Sequence, residues 1–291
     1  MIPIPLIRQC VESACSIIDT IVRYQADRIR RLSDGGSFSE HPFASRATSL
    51  RVFYDIQKEV VRGSVRAGQR ILEIGAGYGE FTSQLLDQGA HVVVTDLCEK
   101  QLESNRRRLL GHPAFSNIEA YSVTDVCDLS SFESGAFDGV VALGGPISYT
   151  LDSKRIALRE VRRVLRAGGT ALFGVMNLWG TIRALNKHFL TLTEVELKSV
   201  IQTGDMNEKL VGRGLHPVHM FTPNSLIGEL TAADFVVRKL TTTNFLSLEP
   251  CDDIEYEALL AAEIQSCSEP HSLNAGDQLI AEATAGFAHA A

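Results

Sequence analysis

The sequence predicts an α/β fold: a doubly wound, seven-stranded, mostly parallel sheet whose last strand is antiparallel, with a helical N-terminal cap and a lid insertion. Three observations carry that prediction. Short apolar runs alternate with stretches of three- and four-residue apolar periodicity, as strands joined by helices require. The first run, Ile71-Leu72-Glu73-Ile74, passes through Gly75, Gly77 and Gly79 into a helix. The closing run, Leu279 to Ala283, fits a final antiparallel strand.

The first unit is the most informative. Ile71, Leu72 and Ile74 suit a strand covered on both faces. The glycines let the chain turn sharply and let a ligand lie against bare peptide. A helix follows through Phe81, Leu85 and Leu86 and stops at Gly89. A second strand, His91 to Asp96, ends on a carboxylate 21 positions after Gly75. Strand, glycine turn, helix, strand and acid make a nucleoside-binding unit, with Asp96 placed for ribose hydroxyls. The spacing is G-x-G-x-G and not the G-x-G-x-x-G of a pyrophosphate site. Glu73 and Glu80 beside the turn would repel phosphates and suit an ammonium or sulfonium ligand.

The stretch Leu72-Glu73-Ile74-Gly75-Ala76-Gly77-Tyr78-Gly79 resembles the first motif of the class I, Rossmann-like S-adenosylmethionine (SAM) dependent methyltransferases of small-molecule type. The resemblance implies SAM as cofactor and S-adenosylhomocysteine (SAH) as product. It implies a cofactor site of Glu73, Gly75, Ala76, Gly77, Asp96, Leu97 beside adenine, Asp125 and Val126 on the adenine edge, and Leu143 after the fourth strand. Tyr54, on the preceding helix, is the aromatic expected to close over the cofactor; core packing explains it equally well.

The whole chain sets bounds. Its 291 residues can bury a full core, with 45% hydrophobic and 22% charged residues. A net charge of −7 argues against nucleic acid as the main partner. Cys10, Cys15, Cys98, Cys127, Cys251 and Cys267 show no C-x-x-C pair, which argues against zinc and for a reducing, cytoplasmic setting. No run suggests a signal peptide or a membrane span. A small-molecule substrate is the expected partner.

Residues 1–45 read as a cap and linker, 46–285 as the SAM-binding domain with a lid at about 180–218, and 286–291 as a tail. In the cap, residues 3–32 form one amphipathic helix that packs on the domain, covers the site or makes a homodimer contact. Residues 46–62 make a second helix, 99–110 a basic one, and 118–123 and 137–143 the third and fourth strands. A helix over 152–166 stops at Gly168, and Thr170 to Met176 forms the fifth strand. Thr222-Pro223 caps another helix. Phe235 opens the sixth strand, and a last helix spans 252–264.

No catalytic triad is visible, and methyl transfer needs none: alignment and desolvation do much of the work. The Asn/Asp-Pro-Pro-aromatic motif of amino methyltransferases acting on adenine or glutamine is absent after the fourth strand, as is a Pro-Cys nucleophile. Leu143-Gly144 and Met176-Asn177 stand where the metal-dependent catechol methyltransferases carry acids, so no metal is expected. His219 is the candidate base, with a structural histidine as the competing reading, and Tyr149 the second catalytic candidate. Asn177, Trp179 and His41 are candidates for the substrate pocket. Oxygen, nitrogen and carbon acceptors stay open. So do a SAM-assisted cyclisation or rearrangement and a non-catalytic SAM-binding role, with an NAD dehydrogenase as the distant case.

Overall fold

The computed structural model describes residues 44–206, 217–247 and 253–286. The expected cap helix, His41 and the tail beyond Gly286 lie outside the described residues. Helix α1 (Ala44–Ser64) opens the described chain, two residues earlier than its apolar pattern suggests. The first half alternates β1 (Arg70–Ile74), α2 (Glu80–Asp87), β2 (His91–Asp96), α3 (Glu99–Leu109) and β3 (Ile118–Val123). The second half brings β4 (Phe137–Ala142), α4 (Lys154–Val164) and β5 (Leu165–Met176), then the insertion. It closes with α8 (Pro223–Ala232), β8 (Phe235–Thr242), α9 (Asp253–Ser266), a short α10 (Pro270–Leu273) and β9 (Gln278–Ala285).

Seven strands form one sheet in the order β3-β2-β1-β4-β5-β9-β8. β1 to β5 pair in parallel, and β9 runs antiparallel to both β5 and β8. Strand side chains alternate between faces, so β1 sends Leu72 and Ile74 to one core and Ile71 to the other. The first core packs β4, β5 and β9 against Leu158 and Val161 of α4 and Leu226 and Leu230 of α8. The second covers Ile71, Val94 and Leu172 with Val52 and Ile56 of α1, Leu85 of α2 and Leu102 of α3. Burial on both faces explains why these strands read as nearly continuous apolar runs.

One boundary differs from expectation. Helix α4 ends at Val164, and β5 already begins at Leu165, so Gly168 is not a helix stop. The pairing steps from Phe137–Leu165 to Gly139–Thr170, which leaves residues 166–169 as a bulge, with Gly168 at φ +68°. Asp138 pins this kink: its Oδ1 accepts from Arg166 Nε at 2.7 Å and its Oδ2 from the Arg70 amide at 2.9 Å. The Thr222 cap is as the sequence suggests, with Ser225 completing a reciprocal hydrogen-bonded box and Pro223 in the first turn.

The insertion begins at α5 (Leu178–Ala184), continues through α6 (Asn186–Phe189) and α7 (Glu194–Thr203), and ends in a two-stranded ribbon, β6 (Asp205–Met206) with β7 (Val218–His219). It has its own small core of Leu178, Phe189, Val200, Met206, Val218 and Met220. Tyr149 and Met176 pack against that core and join it to the sheet. Among the described residues no helix is long and apolar enough to cross a membrane.

Candidate active site

The strand order reverses between β1 and β4. β2 and β3 lie to one side, β5, β9 and β8 to the other. Ligands of open parallel sheets bind at the strand C-termini beside such a switch point. The glycine turn sits there. Gly75 and Gly77 have φ of +68° and +53°, a left-handed conformation that side chains resist. A β-carbon on Gly75 would press on Pro146 at 3.0 Å, whereas one on Gly77 or Gly144 would meet nothing within 4 Å.

Asp96 holds the turn in place. Its Oδ2 accepts from the Gly77 amide at 2.9 Å and its Oδ1 from the Cys98 amide at 2.8 Å. The Ala76 amide donates to the Thr95 carbonyl at 3.0 Å, and the Thr95 hydroxyl to the Glu73 carbonyl at 2.7 Å. The ends of β1 and β2 are therefore laced together by side chains the sequence supplies within one unit. Burial pushes the Asp96 carboxyl above its ordinary range, against the pull of the amides of Cys98, Gly77 and Leu97.

The two glutamates do not both offer free charge. Glu73 is 2% exposed; its Oε2 accepts from the Thr82 hydroxyl at 2.7 Å, while its Oε1 has no partner. Asn105 donates to the same hydroxyl at 2.8 Å and accepts from the Tyr121 hydroxyl at 3.3 Å. Burial pushes Glu73 up to about 8; the Thr82 hydrogen bond opposes this and the Asp96 charge adds to it. Glu80 is held by Lys58 at 2.5 Å and Arg108 at 2.6 Å. Two free carboxylates beside the turn are therefore replaced by one protonatable acid and one carboxylate held between two cations. Tyr54 reaches this corner from α1, with its ring 5.8 Å from that of Phe81, and Arg108 lies over Tyr78.

At the other end of the crevice, Asp125 Oδ1 accepts from the Cys127 amide at 2.8 Å, which shapes the loop after β3. Burial, with Asp125 beside it, pushes the Cys127 thiol up to about 12 and keeps it inert. Leu97 is half-buried, and Val126 and Leu143 are buried.

This fold and crevice agree with three comparisons. A methyltransferase-domain family model matches residues 71–169. A ubiquinone/menaquinone biosynthesis C-methyltransferase of Ectopseudomonas oleovorans is 30% identical over 138 residues, 42% of this chain and 79% of that protein. The chain belongs to the SAM-dependent methyltransferases of the class I, Rossmann-like fold. A demethylmenaquinone methyltransferase of Clavibacter sepedonicus is 40% identical over 106 residues, 35% of this chain and 39% of the relative. The chain spans 39% to 54% of the length of the first curated relatives it matches. A solved SAM-dependent methyltransferase of Methanosarcina mazei shares the fold, with TM-score 0.56 at 17% identity over 78% of this chain and 97% of the other.

SAM is the cofactor of this methyltransferase family, and the described residues fit it. A β-carbon on Gly77 or Gly144 would meet nothing within 4 Å, so bare backbone is open to a ligand at the ends of β1 and β4, next to the Asp96 carboxylate that holds the Gly77 amide. Among the described residues no group of three His, Cys, Asp or Glu side chains is placed to hold a metal ion.

Beyond β4 and β5, the structure brings some candidates together and separates others. A β-carbon on Gly145 would lie 3.2 Å from Met176, 3.5 Å from the Tyr149 ring and 3.6 Å from the Gln278 amide. Asn177 turns its amide into the α10–β9 loop, donating to Leu273 O and Gly276 O at 2.9 and 2.7 Å. Trp179 is 43% exposed on α5. His219 Nδ1 lies 2.6 Å from Asp205 Oδ1, with its ring edge-on to Phe221 at 4.5 Å. Val218 and Met220 enter the insertion core beside Tyr149, so His219 and Phe221 face the opposite way. Sequence reasoning missed Gln57 and Gln278, both buried at this edge. Their only signal was a glutamine inside an apolar helical face and another at the start of an apolar strand.

The state of Glu73 sets a pH dependence. Between its ordinary value of 4.5 and about 8 the folded state holds a proton that the unfolded state has lost. Its contribution to stability therefore falls as pH rises through that window. Glu73→Gln should remove this part of the slope and raise the denaturant midpoint at pH 8 relative to pH 5. A wild type and a variant with parallel pH–stability curves would show that Glu73 is ionised throughout.

Proposed function

We propose that this protein transfers the methyl group of SAM to an oxygen, nitrogen or carbon nucleophile of a small, partly apolar metabolite by in-line displacement. Bound SAM supplies the electrophilic methyl carbon. What the chain contributes is alignment and exclusion of water. The observation that carries the reading is the Asp96 carboxylate locked beside the Gly75–Gly77 turn at the switch point. In this arrangement Asp96 takes the ribose hydroxyls, and Gly75, Ala76 and Gly77 let the methionyl part lie on bare backbone. Leu97, Asp125 and Val126 border the adenine, and Tyr54, Glu73 and Leu143 border the methionyl end.

Tyr149 borders the acceptor, and burial pushes its hydroxyl up so that it stays neutral. The Asp205–His219 pair sits behind that region. We assign it a positioning role, holding β7 against β6, in place of the base expected from the sequence. The family's small-molecule chemistry and the scattered thiols fit a cytoplasmic reaction. The proposed unit is the SAM-binding domain, 46–285, with its lid at about 180–218.

Two measurements test these assignments. Calorimetry should show SAH binding to the wild type and about ten-fold or greater weakening in Asp96→Asn, since hydrogen bonds to a charged group contribute about 1.5–3 kcal/mol each. Equal affinities would remove Asp96 from the ribose role. For the histidine, His219→Asn keeps a donor for Asp205. It should retain most of kcat while His219→Ala loses stability and turnover together. Loss of kcat in His219→Asn with SAH affinity and stability unchanged would restore the imidazole as a base.

A further inference from the structure

Two buried amides stand beside the Gly144–Gly145 step after β4, and each leaves its oxygen without a partner. Gln57, on α1, is fully buried; its Nε2 donates to the Phe53 carbonyl at 3.1 Å, and its Oε1 has no partner. Gln278, at the start of β9, is 3% exposed; its Nε2 rests on the Met176 sulfur at 3.4 Å, and its Oε1 has no partner.

The two share a face. Met176 pairs with Gln278 and Gly174 with Ile280, and residues two apart on a strand point the same way. Gln57 lies over Gly174: a β-carbon there would meet Gln57 Oε1 at 3.4 Å and the Gly144 amide nitrogen at 3.1 Å. Gln278 lies beside Gly145. The amides therefore stand on either side of the Gly144–Gly145 step, about 7 Å apart along the strand direction at ~3.3 Å per residue. Around them are the Tyr149 ring, the Met176 thioether and two glycines that present no side chain.

A buried amide oxygen without a donor carries a desolvation penalty that folding leaves uncompensated. In both residues an N–H of the amide has a partner and the oxygen has none, so the open oxygen is an acceptor. The missing partner must donate. A carbonyl, an ether or a carboxylate could not satisfy either oxygen; an O–H or N–H could.

We propose that Gln57 and Gln278 form the specificity contacts of the acceptor site, and that the acceptor is an apolar ring or chain carrying at least one hydroxyl or N–H donor. The inference rests on the methyltransferase reading and adds the substrate class to it. Tyr149 and Met176 supply the apolar walls; thioether and aromatic surfaces favour planar partners. The amides act by holding the acceptor's donor, which fixes the distance of its nucleophilic atom from the methyl group. They are positioning groups and take no proton.

The test uses two probes of one shape, 1-naphthol and 1-methoxynaphthalene, titrated into the full chain saturated with SAH. Wild type should bind the naphthol about ten-fold or more tightly than its methyl ether, because the ether cannot donate. Gln57→Leu and Gln278→Leu should each erode that preference and the double variant should abolish it, with SAH affinity unchanged. SAH binding also reports that each variant is folded. Equal binding of both probes to wild type, binding of neither, or a preference that survives in the double variant would overturn the proposal. So would weaker SAH binding in either variant, which would give that amide to the cofactor. A wild type that does not bind SAH at all would defeat the methyltransferase reading itself, and this inference with it.

Discussion

The carboxylate of Asp96 is the constraint on which the site depends. It accepts from the amides of Gly77 and Cys98, so one side chain fixes the glycine turn after β1 and the start of the loop after β2. Both segments bend where backbone would otherwise expose unpaired N–H groups at the sheet edge. In the proposed complex the same carboxylate also takes the ribose hydroxyls, so structure and recognition would draw on one group. Thr95 and the Ala76 amide repeat the tie one residue earlier, so the turn is held by a ladder and not by a single contact.

Around this clamp the two faces of the sheet do different work. On one face, α4 and α8 pack a dry core against β4, β5 and β9. The other face carries polar groups at its ligand edge. Glu73, Thr82, Asn105 and Tyr121 make a chain of hydrogen bonds beneath the turn. Gln57 and Gln278 stand on either side of the Gly144–Gly145 step. Among the described residues, Gln57 Oε1, Glu73 Oε1 and Gln278 Oε1 are buried without a partner on this face, while Asn177 Oδ1, Arg183 Nε and Ser272 Oγ are so around α10 and the loop into β9.

Much of this was legible in the sequence. The β1–β2 unit has a strand read from Ile71, Leu72 and Ile74, a turn from three glycines and an acid from Asp96, because local backbone chemistry alone specifies each. The α8 cap followed from Thr222-Pro223 for the same reason. The start of β5 was not legible, because Arg166-Ala167-Gly168-Gly169 looks like a helix stop. Its strand character comes from Asp138, a partner 28 residues away that pins Arg166. The charge on Glu73 and Glu80 was misjudged for a similar reason: Lys58 and Arg108 approach from two other helices. Gln57 and Gln278 were invisible because burial of a polar side chain is a tertiary fact. The facing of His219 needed the β6–β7 pairing, which a two-residue strand does not advertise.

The central claim is that a sulfonium nucleoside lies across the C-terminal edge of β1 and β4. A crystal structure grown with SAH addresses it most directly. The account predicts ribose hydroxyls within hydrogen-bonding distance of Asp96, adenine beside Asp125 and Val126, and the methionyl chain against Gly75 and Gly77. SAH bound elsewhere, or a crevice packed shut by Pro146 and Tyr54 at saturating nucleotide, would contradict it.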